Sequence, residues 1–272
     1  MKESYQSGSA EACLEVHDLT VSFDKKPVLW NIDLTLPPGK LVGIIGPNGA
    51  GKSTLIKACM GLLPLSSGYV KLFGEDINAV RERISYVPQR ESVDWDFPAS
   101  VLDVVLMGRY RRVGLFRRIR EADRDVAMDC LRKVGMESFA SRQISQLSGG
   151  QQQRTFLARA LAQQASLYFM DEPFAGVDAA TEKTIIGLLR NMTASGQTVV
   201  VVHHDLQTVG QYFDWVIMLN TRLIGCGPVA TVFTPEQLRE TYGGKLTLLS
   251  DVGDLIRREQ FPNRENQSGP QP

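Results

Sequence analysis

Apolar and polar positions alternate through residues 14–36, where Leu14, Val16 and Leu19, then Val21, Phe23, Val28 and Leu34, supply the apolar places. A period of two belongs to a strand with one buried face, and the breaks at 24–27 and 37–39 read as turns. This region predicts short, half-buried antiparallel strands. The pattern then changes. Leu41-Val42-Gly43-Ile44-Ile45 is a tight apolar run that ends at a glycine-rich segment and continues as Ser53-Thr54-Leu55-Ile56-Lys57-Ala58. A run apolar on both faces predicts a buried strand, here feeding a helix. Runs at 167–170, 198–202 and 215–219 are also short and apolar, with helical patterns between them. They predict a parallel sheet covered on both faces.

Between 90 and 161 the strands stop. Residues 101–107 and 123–134, the latter with Val126, Cys130, Leu131 and Val134 at helical spacing, predict a helical insertion of about 90–161. From Pro228 onward the pattern weakens. The expected domain covers 14–248, followed by a polar tail at 249–272, rich enough in Pro and Gly to fray.

Composition narrows the class. A chain of 272 residues, 43% hydrophobic and 22% charged, can hold one large α/β core and a subdomain. Thirty basic residues balance thirty acidic ones, so no nucleic-acid partner is expected from the net field. The first residues lack the apolar stretch of a signal peptide, and no apolar run approaches bilayer length, which predicts a soluble chain in the cytoplasm. Cys13, Cys59, Cys130 and Cys226 stand far apart without CxxC spacing and read as packing residues or free thiols.

Three segments carry chemistry. Gly46-Pro47-Asn48-Gly49-Ala50-Gly51-Lys52-Ser53 fits G-x-x-x-x-G-K-[ST] in the required strand–loop–helix context. Glycines let main-chain N–H groups approach phosphate oxygens, Lys52 reaches the β- and γ-phosphates, and Ser53 offers a hydroxyl to Mg²⁺ beside Thr54. The strand at 167–170 runs into Asp171 and Glu172, at the carboxyl end where parallel sheets bind ligands. Asp171 is placed for Mg²⁺. Glu172 either orients the attacking water or belongs to the cap of the next helix. Third, Ser148 and Gln151 in Leu147-Ser148-Gly149-Gly150-Gln151 have capping-box spacing before a helical run at 152–162. Two glycines weaken a helix start, yet they bare N–H groups for a second phosphate. One cradle suffices for one nucleotide, so the second is expected to serve the nucleotide of a twin subunit across a two-fold interface.

In this order, the phosphate loop at 46–53, Leu-Ser-Gly-Gly-Gln at 147–151 and the acidic strand end at 167–172 resemble an ABC-family ATPase over about residues 14–245. The resemblance implies a P-loop NTPase core of α/β class with an N-terminal antiparallel region and a helical insertion. It implies that Gln89 senses the γ-phosphate and Mg²⁺, that Asp178 in Ala175-Gly176-Val177-Asp178 works across the dimer, and that His204 is the switch histidine contacting the γ-phosphate, with His203 a bystander. Phe23 matches the aromatic that stacks on adenine, where tyrosine is commoner; as a strand residue it equally fits the core. An adjacent histidine pair also raises a metal site, but no third ligand is evident.

The stretch Val93-Asp94-Trp95-Asp96-Phe97-Pro98, with 101–110 and 114–118, resembles the ATPases of bacterial manganese, zinc and iron importers. That implies a homodimer, transmembrane permease partners, an extracytoplasmic metal-binding protein and a place on the inner face of the cell membrane. The aromatic loop fits a docking surface for a permease helix, or plain core packing. The arginine-rich run 109–120 reads as a solvated face, with anionic headgroups as the other reading. An ATPase of a siderophore, haem or cobalamin importer shares every one of these catalytic residues, and a soluble non-transport ABC protein is the rival from another class.

Overall fold

The computed structural model describes residues 12–24, 26–114 and 118–243. The expected tail at 249–272 and Leu115, Phe116 and Arg117 of the importer-like stretch lie outside them. The strands are β1 Leu14–Phe23, β2 Lys26–Leu36, β3 Leu41–Ile45, β4 Ser67–Leu72, β5 Ile84–Val87, β6 Leu167–Asp171, β7 Thr198–Val202, β8 Trp215–Asn220 and β9 Arg222–Pro228. The helices are α1 Lys52–Cys59, α2 Ile77–Val80, α3 Val101–Met107, α4 Tyr110–Val113, α5 Glu121–Lys133, α6 Gly149–Ala162, α7 Ala179–Ala194, α8 Val209–Tyr212, α9 Val229–Val232 and α10 Pro235–Tyr242.

The N-terminal strands form a three-stranded antiparallel sheet in the order β2-β1-β4. The central sheet has six strands in the order β5-β6-β7-β3-β8-β9, parallel except for the β8–β9 hairpin. Its two faces are sorted residue by residue. Leu41, Ile45, Tyr168, Met170, Val199 and Val201 point into one core, shared with helices α3, α5, α6, α7 and α10. Val42, Ile44, Leu167, Phe169, Val200 and Val202 point into the other, closed by α1 and the antiparallel sheet. Each of these large side chains, taken out of water, contributes about 1.5–3 kcal/mol, which is why strands apolar on both faces settle in the middle of the stack.

Two details differ from the expected pattern. In the first hairpin the inward residue of β2 is Leu29, fully buried, while Val28 is only partly covered and Phe23 is 48% exposed. Register shifts around Val16, Leu19 and Val21 move the inward phase by one place, since every bulge reverses which side the following residues face. Beyond Pro228, where the pattern weakens, α9 and α10 are formed, and Thr234 caps α10 by accepting from the Gln237 N–H. The insertion is helical as expected: α3 to α6 occupy the chain between β5 and β6. All four cysteines are free thiols; burial pushes Cys13 and Cys130 up to about 11 and Cys59 to about 12.

Candidate functional site

β3, β7 and β6 are adjacent and parallel, so their carboxyl ends open on one edge. From β3 leaves the loop 46–51, from β6 come Asp171 and Glu172, and from β7 come His203 and His204. The result is a cleft of about 670 Å³ lined by Asn48, Gly49, Ala50, Gly51, Lys52, Ser53, Thr54, Gln89, Glu172 and His204. The structure therefore brings the phosphate loop, Gln89, Glu172 and His204 together.

The loop is fixed by backbone contacts that exclude side chains. A Cβ on Gly46 would sit 2.0 Å from the Leu219 carbonyl oxygen, and one on Gly51, at φ +94°, would sit 2.6 Å from Leu29 Cδ2. Lys52, nearly buried, donates to the carbonyls of Gly46 at 2.8 Å and Pro47 at 2.9 Å. Burial lowers its pKa, while the carboxylates of Glu172 and Asp171 pull the other way. Asp171 is 1% exposed and lies behind the loop, where its Oδ1 accepts from Ser53 Oγ at 3.0 Å. Burial raises its pKa; Ser53, Lys57 and Lys52 oppose that.

Ser53 and Asp171 thus juxtapose two hard oxygen donors at the foot of the cleft. Among the described residues no cluster of three or more His, Cys, Asp or Glu could hold a metal ion. A hydroxyl plus one carboxylate suits a small cation that keeps water and phosphate oxygens as its other ligands, and suits a thiophilic metal poorly. Glu172 stands in the left-handed region at φ 53°, uncommon for a residue with a Cβ. It is not the cap of the following helix. That role falls to Asp178, whose carboxylate accepts from the N–H groups of Ala180 and Thr181 at 3.0 and 2.9 Å. These bonds, Thr181 first, hold the Asp178 carboxyl below the usual range.

A second, smaller cleft of about 190 Å³ is lined by Ser148, Gly149, Gly150, Gln151, Arg154 and Asp178, with Gly176, Val177 and Thr181. The capping box is formed: Gln151 N–H donates to Ser148 Oγ at 3.4 Å and Ser148 N–H donates to Gln151 Oε1 at 2.9 Å. Gly150 is small for a reason beyond capping, because a Cβ there would lie 3.0 Å from the Gly176 carbonyl oxygen. Among the described residues none lines both clefts.

The model for the ABC transporter family matches residues 29–175, more than half of the chain. The chain belongs to the ABC transporter family. It is 61% identical to a manganese transport system ATP-binding protein of Bacillus subtilis, over 88% of this chain and 95% of that one. It is 56% identical to a zinc transport system ATP-binding protein of Treponema pallidum, over 86% and 88%. Among solved structures it resembles a chain of an ABC transporter in an inward-facing conformation, with a TM-score of 0.74 and 28% identity over 85% of this chain and 88% of that chain. The chain is accordingly an ATP-binding, ATP-hydrolysing ABC subunit, with the α/β core, antiparallel region and helical insertion of that fold.

Within this ABC subunit, three site features escape the sequence pattern. Val28, not Phe23, is the residue of the first hairpin that lines the cleft of the phosphate loop. Arg90, next to Gln89, donates from Nε to Gln152 Oε1 at 3.1 Å, and its guanidinium would lie 3.0 Å from a Cβ on Gly149. It joins the Gln89 loop to the start of α6. Arg154, three residues beyond Gln151, reaches the second cleft; its helical phase relative to Gln151 was the available signal. Trp95 packs inward, edge-on to Phe156 at 4.9 Å, with its Nε1 donating to the Arg90 carbonyl, whereas Phe97 is 53% exposed.

Proposed function

We propose that this ABC subunit hydrolyses MgATP as half of a head-to-tail homodimer and thereby drives a membrane permease that imports a divalent transition metal. The observation that carries the pairing is the disjunction of the two clefts: among the described residues none lines both, and we read each as half of a nucleotide site. A second copy related by a two-fold axis supplies the missing half to each. In the closed pair the main chain of 46–52 and Lys52 hold the β- and γ-phosphates. Ser148–Gln151 of the twin clasp the γ-phosphate, and Asp178 works across the interface. Adenine lies against the first hairpin beside Val28, with the exposed Phe23 ring, outside the cleft lining, as the candidate to stack.

Ser53 and Asp171, with Gln89, would hold Mg²⁺, which when bound neutralises phosphate charge. Glu172 orients and deprotonates the attacking water, and His204 contacts the γ-phosphate from the neighbouring strand end. Positioning and charge neutralisation supply most of the catalysis.

Transport is supported by the manganese and zinc relatives and by a cleft of about 260 Å³ between the insertion and the core. Met60, Leu62, Ile77 and Met107 give it an apolar lining, and Arg81, Arg111 and Arg159 a charged one, the chemistry of a seat for a permease helix. We assign residues 90–161 as the subdomain that carries this seat, within a domain of 14–248. Among the described residues no helix is long and apolar enough to cross a membrane. In this reading the pair sits peripherally on the cytoplasmic face beneath the permease, which receives metal from an extracytoplasmic binding protein. No nucleic acid takes part.

Glu172→Gln tests the chemistry: ATP binding is retained and turnover falls about 100-fold or more, and undiminished turnover would contradict it. Pull-down of the native complex, with elemental analysis of cells lacking the gene, tests the cargo. Unaltered manganese and zinc in those cells would favour a chelate importer.

A further inference from the structure

We propose that His203 is a positioning residue for His204, acting through a one-way hydrogen-bond relay with Thr208 and Asp205. His203 follows the last residue of β7 and is 2% exposed. Its backbone N–H donates to the Ile44 carbonyl at 3.0 Å, so the β3–β7 ladder continues one residue past the strand. The ring is walled by Phe174 at 5.7 Å, Tyr212 at 6.0 Å and Phe213 at 5.2 Å. Nothing exposes it to nucleotide; its chemistry is directed inward.

The direction of the relay follows from counting hydrogens. His203 Nε2 lies 2.7 Å from Thr208 Oγ1. That same hydroxyl lies 3.1 Å from the Asp205 carbonyl oxygen and 3.3 Å from Asp205 Oδ2, both acceptors. A hydroxyl has a single hydrogen, and Asp205 takes it. Thr208 Oγ1 must then accept from His203, which puts the imidazole proton on Nε2 and leaves Nδ1 bare. The bare nitrogen agrees with its surroundings: Nδ1 is buried and has no hydrogen-bond partner among the described residues. A proton there would be a stranded donor, and an imidazolium would strand one as well. Burial, aided by the neighbouring His204 and opposed by Asp205, pushes the His203 pKa down to about 4, so the ring stays neutral near pH 7.

The consequence is a closed loop around His204. His203 is tied to Thr208, Thr208 is tied back to Asp205, and Asp205 Oδ1 also accepts from the Gln207 N–H at 3.0 Å. Both chain neighbours of His204 are therefore held. Its own exposed side chain, facing the cleft of Lys52 and Glu172, keeps only its two torsions. Fixing the backbone beforehand removes entropy that would otherwise be lost on reaching the γ-phosphate. The inference rests on the reading of His204 as a nucleotide-contacting group.

The test uses the full chain. Nitrogen-15 spectra should show His203 protonated at Nε2, bare at Nδ1 and not titrating between pH 8 and 5.5; an Nδ1–H tautomer overturns the relay. Thr208→Val removes the hydroxyl and should lower kcat about 10-fold at unchanged KM for ATP, while Thr208→Ser restores it. His203→Phe keeps the shape without the donor and should match Thr208→Val, which covers the case in which one of them folds poorly. In a His204→Ala background Thr208→Val should have no further effect. A full kcat for Thr208→Val beside an impaired His204→Ala sinks the positioning role alone. A full kcat for His204→Ala sinks the reading of His204 itself, whatever the spectra show.

Discussion

The Ser53 hydroxyl donates to the Asp171 carboxylate across 3.0 Å, tying the start of α1 to the end of β6 over 118 residues of sequence. The contact closes the foot of the cleft and sets two hard oxygens side by side. Asp171→Asn preserves shape and removes charge, so the fold should survive with a melting temperature within a few degrees. Mg²⁺-dependent phosphate release should drop about 100-fold or more. A rate within twofold of the unaltered protein, measured over a Mg²⁺ titration, would take Asp171 out of the chemistry.

Gly51 tests whether the loop is held by close approach. Its φ of +94° is strained for any L side chain, and the new Cβ would press on Leu29 Cδ2 and on the Val28 carbonyl oxygen at 3.0 Å. Leu29 is fully buried and has nowhere to retreat. Gly51→Ala should cost about 1–3 kcal/mol in urea unfolding. Fluorescent-nucleotide titration should show affinity reduced at least about tenfold, since either the loop or the hairpin that carries Val28 must shift.

Much of this was legible because the decisive signals are local. A strand buried on both faces has one readable signature, and β3, β6 and β7 carry it; the box formed by Ser148 and Gln151 needs only a spacing of three. What was not legible depends on distant partners. β4 is an edge strand in which Leu72 alone is buried, so it has no periodicity to read. β9 contains Gly225 and Gly227, kept bare because a Cβ at either would strike Gln237 or Val232. A bulge in β2 between Leu29 and Ile32, opposite Val21 and Leu19, exchanged Val28 and Leu29, and the Arg90 bridge to α6 spans 62 residues.

The second cleft makes a prediction about assembly. Ser148→Ala removes the α6 cap and should cost about 1 kcal/mol, too little to unfold the chain. Gly150→Ala pushes on the Gly176 carbonyl and displaces the segment leading to Asp178. In a Glu172→Gln background, both should bind MgATP as monomers with near-normal affinity yet fail to dimerise. Light scattering with and without MgATP separates the two properties. A dimer that persists in Gly150→Ala would count against the head-to-tail pair.

Trp95 and Phe97 divide packing from docking. Trp95 is partly buried, held edge-on against Phe156 and by the Arg90 carbonyl, so Trp95→Ala should cost about 2 kcal/mol. Phe97 is exposed, and Phe97→Ser should leave the melting temperature unchanged while weakening recovery of the permease in pull-down. Equal recovery with Phe97→Ser would take this loop out of the docking surface and leave the cleft between core and insertion as the seat by itself.

The buried imidazole of His203 carries a pH signature whose sign can be worked out. Its folded pKa is depressed from 6.5 to about 4, chiefly by burial, next by His204, with Asp205 acting against them. Between those two values the unfolded chain binds the proton and the folded chain does not, so stability rises with pH there and is lost as pH falls. A displacement of this size corresponds to a loss on the order of 3 kcal/mol by pH 4. His203→Phe keeps an aromatic ring in the cage of Phe174, Tyr212 and Phe213 but cannot titrate. Urea unfolding of both proteins between pH 7.5 and 4.5 should therefore give a steeper acid decline for the unaltered chain, the difference opening below about pH 6.5. Parallel curves would mean that the cage admits a proton without penalty, and the neutral, Nε2-protonated ring on which the Thr208 relay depends would have to be abandoned.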